Sequence, residues 1–80
     1  MSNAAKVTAL LEQITGTDEV QRDPDLDLTD LGLLDSLGMV ELMVGLSEQF
    51  GIEISPAEVA REEWSTPRKI IAYIDQRIAR

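Results

Sequence analysis

The sequence predicts an all-α protein, a four-helix bundle with a long loop between its first two helices and a short third helix. Three observations predict this class: apolar residues recur at helical spacing, start and stop residues flank those segments, and no segment alternates like a strand. The chain has 80 residues, of which 44% are hydrophobic. Since so short a chain supports one core, residues 1–80 are expected to form a single domain.

The first helix is predicted by four apolar residues on one face, Val7, Leu10, Leu11 and Ile14. Ser2 or Asn3 can cap its start, and Gly16 ends it. Residues 17–35 follow as a long acidic loop, with a short helical turn near residues 29–31 as a candidate element. Its leucines are expected to pin the loop to the core: Leu26, Leu28, Leu31, Leu33 and Leu34.

The second helix spans residues 36–50 and has the most regular pattern in the chain. Five of its residues fall in one sector about 100° wide, the width of a core-facing stripe. They are Met39, Leu42, Met43, Leu46 and Phe50. Gly51 then supplies a left-handed C-cap.

The last two helices are predicted from their caps. Residues 55–58 read Ser-Pro-Ala-Glu, a capping box that opens a brief third helix ending near Arg61 or Glu62. Thr66 and Pro67 repeat the cap before a fourth helix, whose Arg77 and Arg80 complement its dipole. Its narrow apolar face consists of Ile70, Ile71, Ile74 and Ile78.

The composition excludes several classes of function. Cys and His are both absent, so disulfides, the usual zinc sites and the commonest general base and nucleophile are unavailable, and an enzyme is not expected. The net charge of −8 repels nucleic acid and favours basic surfaces on partner proteins. Because the sequence has no membrane-spanning stretch and no signal-peptide pattern, a cytoplasmic location is expected. The protein is expected to be a monomer.

Acidic motifs do not predict a metal or acid–base site. Residues 23–27 begin like a calcium loop, but Leu28 and Leu34 occupy the positions that need Gly and Glu. Glu62 and Glu63 are neighbours in sequence that point apart on a helix end. We interpret both stretches as solvated charge.

The segment that ends the loop predicts a modified serine. Ser36 stands in the first turn of the second helix, where unpaired N–H groups and the positive helix end would stabilise a phosphodiester. Asp35 is its predicted N-cap and offers a carboxylate to a metal or base of a modifying enzyme. From local chemistry alone, a plain helix cap remains an alternative.

The outer face of the second helix predicts a docking surface. It carries Leu37, Val40, Glu41, Val44 and Glu48, an apolar patch with an acidic rim that suits transient binding. The alternative is that another helix or the loop covers Leu37 and Val40.

Residues 32–37, Gly-Leu-Leu-Asp-Ser-Leu, resemble the attachment motif of the acyl carrier protein superfamily. The resemblance covers nearly the whole chain and implies a four-helix bundle with 4′-phosphopantetheine on Ser36. It implies partner recognition by Asp35, Leu37, Val40, Glu41 and Val44. The implied partners are a phosphopantetheinyl transferase, a ligase that loads the thiol, and a downstream acyltransferase, which can be membrane-bound.

Within that superfamily the chain is most similar to the D-alanyl carrier proteins, which present D-alanine for esterification of teichoic acids. Three stretches carry the similarity: Thr-Gly-Thr-Asp at residues 15–18, Gln-Phe-Gly at 49–51 and Arg-Glu-Glu-Trp-Ser-Thr-Pro-Arg-Lys-Ile-Ile at 61–71. The family pattern has an aromatic residue and an Asp before Arg61, where this chain has Val59 and Ala60. This departure leaves other cargoes open.

Two alternatives therefore accompany the D-alanyl carrier. One is a carrier of fatty or polyketide acyl chains, for which Met39 and Met43 could repack to open a cavity. The other is an unmodified acidic adaptor that uses only the docking surface. Trp64 is interpreted as a structural plug between short helices, with its N–H reaching a backbone carbonyl.

Overall fold

The computed structural model describes residues 2–55, 57, 59 and 61–79. Helices α1 (Asn3–Thr15), α2 (Glu19–Arg22), α3 (Ser36–Phe50) and α4 (Pro67–Ile78) are joined by loops, and a 3₁₀ helix (Arg61–Trp64) precedes α4. The described ranges contain no strand. The all-α prediction is therefore confirmed.

Helix α1 lies at the centre and packs against α2, α3 and α4. The Ser2 hydroxyl caps it by accepting a hydrogen bond from the Ala5 N–H at 3.1 Å, and Gly16 ends it at φ 76°. Gly45 of α3 faces Leu10 so closely that a Cβ there would lie 2.8 Å from a Leu10 methyl carbon. The absence of a side chain at Gly45 therefore allows α1 and α3 to approach each other.

The core follows the predicted helical stripes with one difference. Its fully or nearly fully buried apolar residues are Val7, Leu11, Val20, Leu26, Leu28, Leu34, Leu42, Met43, Leu46, Trp64, Ile70 and Ile74. Met39 and Phe50 pack against this core while half-buried. Ile78, the last residue of α4, is exposed, so the buried stripe of α4 is one turn shorter than its periodicity predicts.

The long loop contains a helix that the sequence did not predict. Helix α2 has only four residues and one buried apolar side chain, Val20, so it has no periodicity to detect. The turn predicted near residues 29–31 is present: the Gly32 N–H donates to the Thr29 carbonyl at 3.2 Å. The Asp27 carboxylate stabilises this turn by accepting the N–H groups of Thr29 and Asp30.

Most of the loop leucines hold the loop on the core, as predicted. Leu26, Leu28 and Leu34 are buried and Leu33 is half-buried, but Leu31 is 61% exposed, which contradicts its predicted role. The loop is held by the leucines around Leu31 and by backbone hydrogen bonds to the start of α4. The Leu28 N–H donates to the Ser65 carbonyl at 2.8 Å.

Two more contacts join the loop to the N-terminus of α4. The Arg68 N–H donates to the Pro24 carbonyl at 2.9 Å. The guanidinium of Arg68 donates two hydrogen bonds to the Asp25 carboxylate, at 2.8 and 3.2 Å. This pairing lowers the pKa of the Asp25 carboxyl and raises the pKa of Arg68. These contacts hold the middle of the acidic loop against the start of α4.

The predicted third helix includes Pro56, Glu58 and Ala60, which lie outside the described residues, as does Arg80. In the described part, the Ala57 N–H donates to the Ser55 hydroxyl at 3.3 Å. The 3₁₀ helix follows at the predicted end of that segment.

Trp64 plugs the space beside α4, as predicted. It is completely buried and meets the Tyr73 ring edge-to-face at a centroid distance of 5.4 Å. The expected hydrogen bond to a carbonyl is wrong, since Nε1–H has no acceptor among the described residues. The contact with Tyr73 is thus the specific interaction of this ring.

Candidate functional site

Asp35 sets the geometry of the first turn of α3. Its backbone is extended, at φ −90° and ψ −172°, and its carboxylate accepts the Gly38 N–H at 2.7 Å. Its carbonyl accepts the Met39 N–H at 2.8 Å. Asp35 is therefore the N-cap that the sequence predicts, and it fixes the direction of the residue that follows.

Ser36 is the first residue of α3, and its side chain is exposed. Among the described residues, its hydroxyl makes no hydrogen bond, and the N–H groups of Ser36 and Leu37 have no acceptor. A helix of 15 residues places its positive end here. A phosphodiester on the Ser36 oxygen would find two free donors and a favourable potential, so the turn fits the prosthetic group that the sequence implies.

Gly38 packs closely against the Asp35 cap, a role that the sequence analysis did not assign to it. It is buried, and a Cβ at this position would lie 3.2 Å from the Asp35 carboxylate oxygen and 3.2 Å from a Leu34 methyl carbon. A glycine inside a helix lowers helix stability by about 1 kcal/mol relative to alanine. A glycine near the start of a predicted helix is therefore a sign in the sequence that close packing requires it. Gly38 therefore gives the Asp35 cap room to form.

The outer face of α3 is open to solvent. Leu37, Val40 and Val44 are 68%, 50% and 53% exposed, and Glu41 and Glu48 are exposed as well. The alternative that the loop or another helix covers Leu37 and Val40 is thus excluded. Leu31, unexpectedly exposed in the loop before Ser36, adds a further apolar side chain at the surface.

A cleft opens directly beside Ser36. Its volume is about 230 Å³, and it is lined by Leu34, Asp35, Ser36, Met39, Val40, Met43 and Val59. The wall opposite α3 comes from Val59, one of the two positions at which the sequence departs from the D-alanyl carrier pattern. Ala60, the other, lies outside the described residues.

A second cleft of about 230 Å³ continues along α3. It is lined by Val40, Met43, Val44, Ser47, Glu48 and Ile54. Both clefts are formed between α3 and the segment that follows it, so their walls come from residues distant in sequence. Sequence reasoning placed Met39 and Met43 in the core and did not identify Ile54 or Val59 as surface-lining residues.

Glu41 and Glu48 are the charged residues of this face. Among the described residues, no cation lies within 4 Å of either carboxylate, and the ion pairs present are Arg22–Asp18 and Arg68–Asp25. The outer face of α3 is therefore apolar, and its carboxylates have no cationic partner in the described part of the chain. A partner with basic residues around an apolar patch matches this surface.

Neither a metal-ligand cluster nor a membrane-spanning helix is present in the described part of the chain. No group of three or more His, Cys, Asp or Glu is arranged to hold a metal ion there. None of the helices there combines the length and apolar character needed to cross a bilayer.

Comparison with known proteins agrees with the geometry. The family model described as "Phosphopantetheine attachment site" matches residues 5–74. The D-alanyl carrier protein of Abiotrophia defectiva is 46% identical over 74 residues, which are 92% of this chain and 94% of that protein. The D-alanyl carrier protein of Lacticaseibacillus rhamnosus is 46% identical over 70 residues, 88% and 86% of the two chains. That of Enterococcus faecalis is 45% identical over 69 residues, 86% and 88%. The similarity thus extends over nearly the whole chain.

Proposed function

This chain belongs to the D-alanyl carrier proteins of the phosphopantetheine-attachment family, and we propose that Ser36 bears the arm on which it holds D-alanine. The chain is a carrier rather than an enzyme. The observation that carries the assignment of Ser36 is its exposed hydroxyl, free of hydrogen bonds to the described residues, at the N-terminus of α3. When bound, 4′-phosphopantetheine supplies the thiol that this Cys-free chain lacks, so that a carboxyl group can be held as a thioester.

The residues around Ser36 prepare the attachment. Asp35 occupies the N-cap, which leaves the Ser36 side chain pointing away from the helix bonds and its N–H available to a phosphate oxygen. Gly38 keeps this cap unstrained. The chain therefore needs no rearrangement of its first turn before modification.

The outer face of α3 serves the partner enzymes. Leu37, Val40 and Val44 provide apolar contact, and Glu41 and Asp35 provide charge that guides the encounter. The partners are a phosphopantetheinyl transferase, a D-alanine ligase and a downstream acyltransferase that passes D-alanine to a cell-wall acceptor of the teichoic acid type. One surface must release each partner in turn, so each complex is weak. The carrier acts as a monomer in the cytoplasm.

Mass spectrometry tests the attachment. The chain is coexpressed with a broad-specificity phosphopantetheinyl transferase, and intact masses are compared for wild type, Ser36→Ala and Ser47→Ala. Wild type and Ser47→Ala should each gain one phosphopantetheine, because Ser47 lies on the same helix but outside its first turn. Modified Ser36→Ala, or unmodified wild type, would contradict the proposal.

Loading assays test the cargo. The modified protein is offered ATP with a D-alanine ligase and D-alanine, or with an acyl ligase and a fatty acid. D-alanine should be transferred and the fatty acid should not, because the relatives that match nearly the whole chain are D-alanyl carrier proteins. Preferential acylation by the fatty acid would favour the acyl-chain alternative.

The exposed face of α3 also favours a second candidate, the unmodified adaptor. The two functions differ in their response to mutation. An adaptor keeps its biological activity in Ser36→Ala and loses it in Val40→Asp, whereas a carrier loses activity in both variants. Val40 is half exposed, so Val40→Asp should fold, with a change in stability of about 0.5 kcal/mol or less.

A further inference from the structure

The two clefts beside α3 form one groove. Val40 and Met43 line both of them, and the lining residues of the second cleft follow those of the first along the helix. Ser36 stands at one end, and Ser47 and Glu48 stand at the other. We call this continuous surface the α3 groove.

The length of the α3 groove matches the arm proposed for Ser36. Ser47 is eleven residues after Ser36, which corresponds to about 16 Å along the helix axis. The chain from phosphorus to sulfur in phosphopantetheine has about thirteen bonds, and an extended chain covers roughly 3.5 Å per three bonds, or about 15 Å in total. An extended arm on Ser36 would therefore bring its thiol to Ser47 and Glu48.

The chemistry of the α3 groove also suits this occupant. Its middle is apolar, with Met43 at the floor and Ile54 and Val59 in the opposite wall. The geminal methyl groups and methylenes of the arm would be removed from water there. Met39 and Met43 can adjust to an irregular ligand, because methionine side chains are flexible.

Charge distinguishes the far end of the groove. Glu48 is exposed and has no cation within 4 Å among the described residues. An aminoacyl group carries a positively charged ammonium, which could pair with the Glu48 carboxylate. A fatty acyl group carries no charge. The groove therefore favours a short aminoacyl cargo at its end.

We propose that the α3 groove is the resting place of the loaded arm and that Glu48 binds the ammonium of the aminoacyl cargo. The inference rests on the proposed function and adds a cargo-binding residue to it.

Nuclear magnetic resonance of the loaded carrier tests the groove. A phosphopantetheinyl transferase attaches arms that end in amide-linked D-alanine or in amide-linked propionate, which has the same shape without the ammonium. Intact mass is measured first, so that failure of attachment counts against the proposed function and not against the groove. Both arms should shift the methyl resonances of Met43, Ile54 and Val59 and give contacts from the geminal methyls to Val59. Unshifted methyls would overturn the proposal and leave the groove to a partner helix.

A titration tests Glu48 separately. The ammonium of ¹⁵N-labelled D-alanine on the arm is titrated in wild type, Glu48→Gln and Glu41→Gln. Glu48→Gln should lower the pKa of the ammonium by roughly 0.2–0.7, the size expected of an exposed ion pair. Glu41→Gln removes the same charge from the same helix, but Glu41 does not line either cleft, so it should leave this pKa unchanged. Equal decreases in both variants would overturn the role of Glu48, because they would reflect only the general acidity of the protein.

Discussion

The carboxylate of Asp35 and the backbone N–H of Gly38 are joined by a 2.7 Å hydrogen bond that closes the first turn of α3 over Ser36. The bond depends on both partners, because Asp35 provides the acceptor and Gly38 leaves the space for it. The same turn leaves the N–H groups of Ser36 and Leu37 without acceptors among the described residues. The stability of α3 and the availability of Ser36 therefore have a common origin.

Replacing Asp35 should weaken the fold and slow the modification of Ser36. Asp35→Ala removes the N-cap and should lower the free energy of unfolding by about 1 kcal/mol, whereas Asp35→Asn should retain most of it. Urea unfolding followed by circular dichroism measures this change, and a time course of intact mass measures modification. Thr66→Ala is the matched control, because it removes the N-cap of α4, where the hydroxyl accepts the Lys69 N–H at 3.2 Å. Thr66→Ala should lower the free energy of unfolding by a similar amount and leave the rate of modification unchanged. If Asp35→Ala and Thr66→Ala both slowed modification, the loss of stability alone would explain the slower rate.

Two leucines of the long loop should respond differently to truncation. Leu28 is completely buried, so Leu28→Ala should cost about 2–5 kcal/mol, a large part of the stability of a small domain. Leu31 is 61% exposed, so Leu31→Ala should change stability by about 0.5 kcal/mol or less. Urea denaturation of both variants measures the difference. Similar losses would contradict the exposed position of Leu31.

The turn at Asp27 should make part of the stability dependent on pH. The N–H of Asp30, and next the hydroxyl of Thr29, lower the pKa of the Asp27 carboxyl below its ordinary value of 3.8. A carboxyl group whose pKa is lower in the folded than in the unfolded protein stabilises the folded protein at pH values above the unfolded-state pKa. This stabilisation is lost as the pH falls through the folded-state pKa. Asp27→Asn should therefore be less stable than wild type at about pH 7, and the difference should shrink toward about pH 2.

Urea unfolding at the two pH values checks the Asp27 prediction. Glu41→Gln serves as the control, because it also removes one exposed negative charge but breaks no hydrogen bond to the described residues. A difference between Asp27→Asn and wild type that stays constant with pH would exclude the carboxylate as its cause.

The sequence predicted best the features that neighbouring residues determine. Ser2, Asp35 and Thr66 cap the helices that they were expected to cap, because a cap needs only the N–H groups two or three residues ahead. The buried stripe of α3 was also predictable, since the helical period alone places its residues on one face. Helix α2 was missed because four residues contain too few apolar positions to show a period.

Features that depend on distant contacts could not be predicted. Leu31 and Ile78 are exposed because no other element packs over them in the described part of the chain. The burial of Trp64 was expected, but the lack of an acceptor for its N–H among the described residues depends on the groups that surround the ring. The clefts beside Ser36 likewise need Ile54 and Val59, which the chain brings back to α3 from beyond Gly51.

The amino-acid sequence was sufficient to predict α1, α3 and α4, their N-caps and the position of Ser36 at the start of α3, because these depend on hydrogen bonds and periodicity within a few residues. The open outer face of α3 and the groove from Ser36 to Glu48 follow instead from the packing of the folded chain. Exposure and grooves depend on which segments, far apart in the chain, leave a surface uncovered or supply its opposite wall.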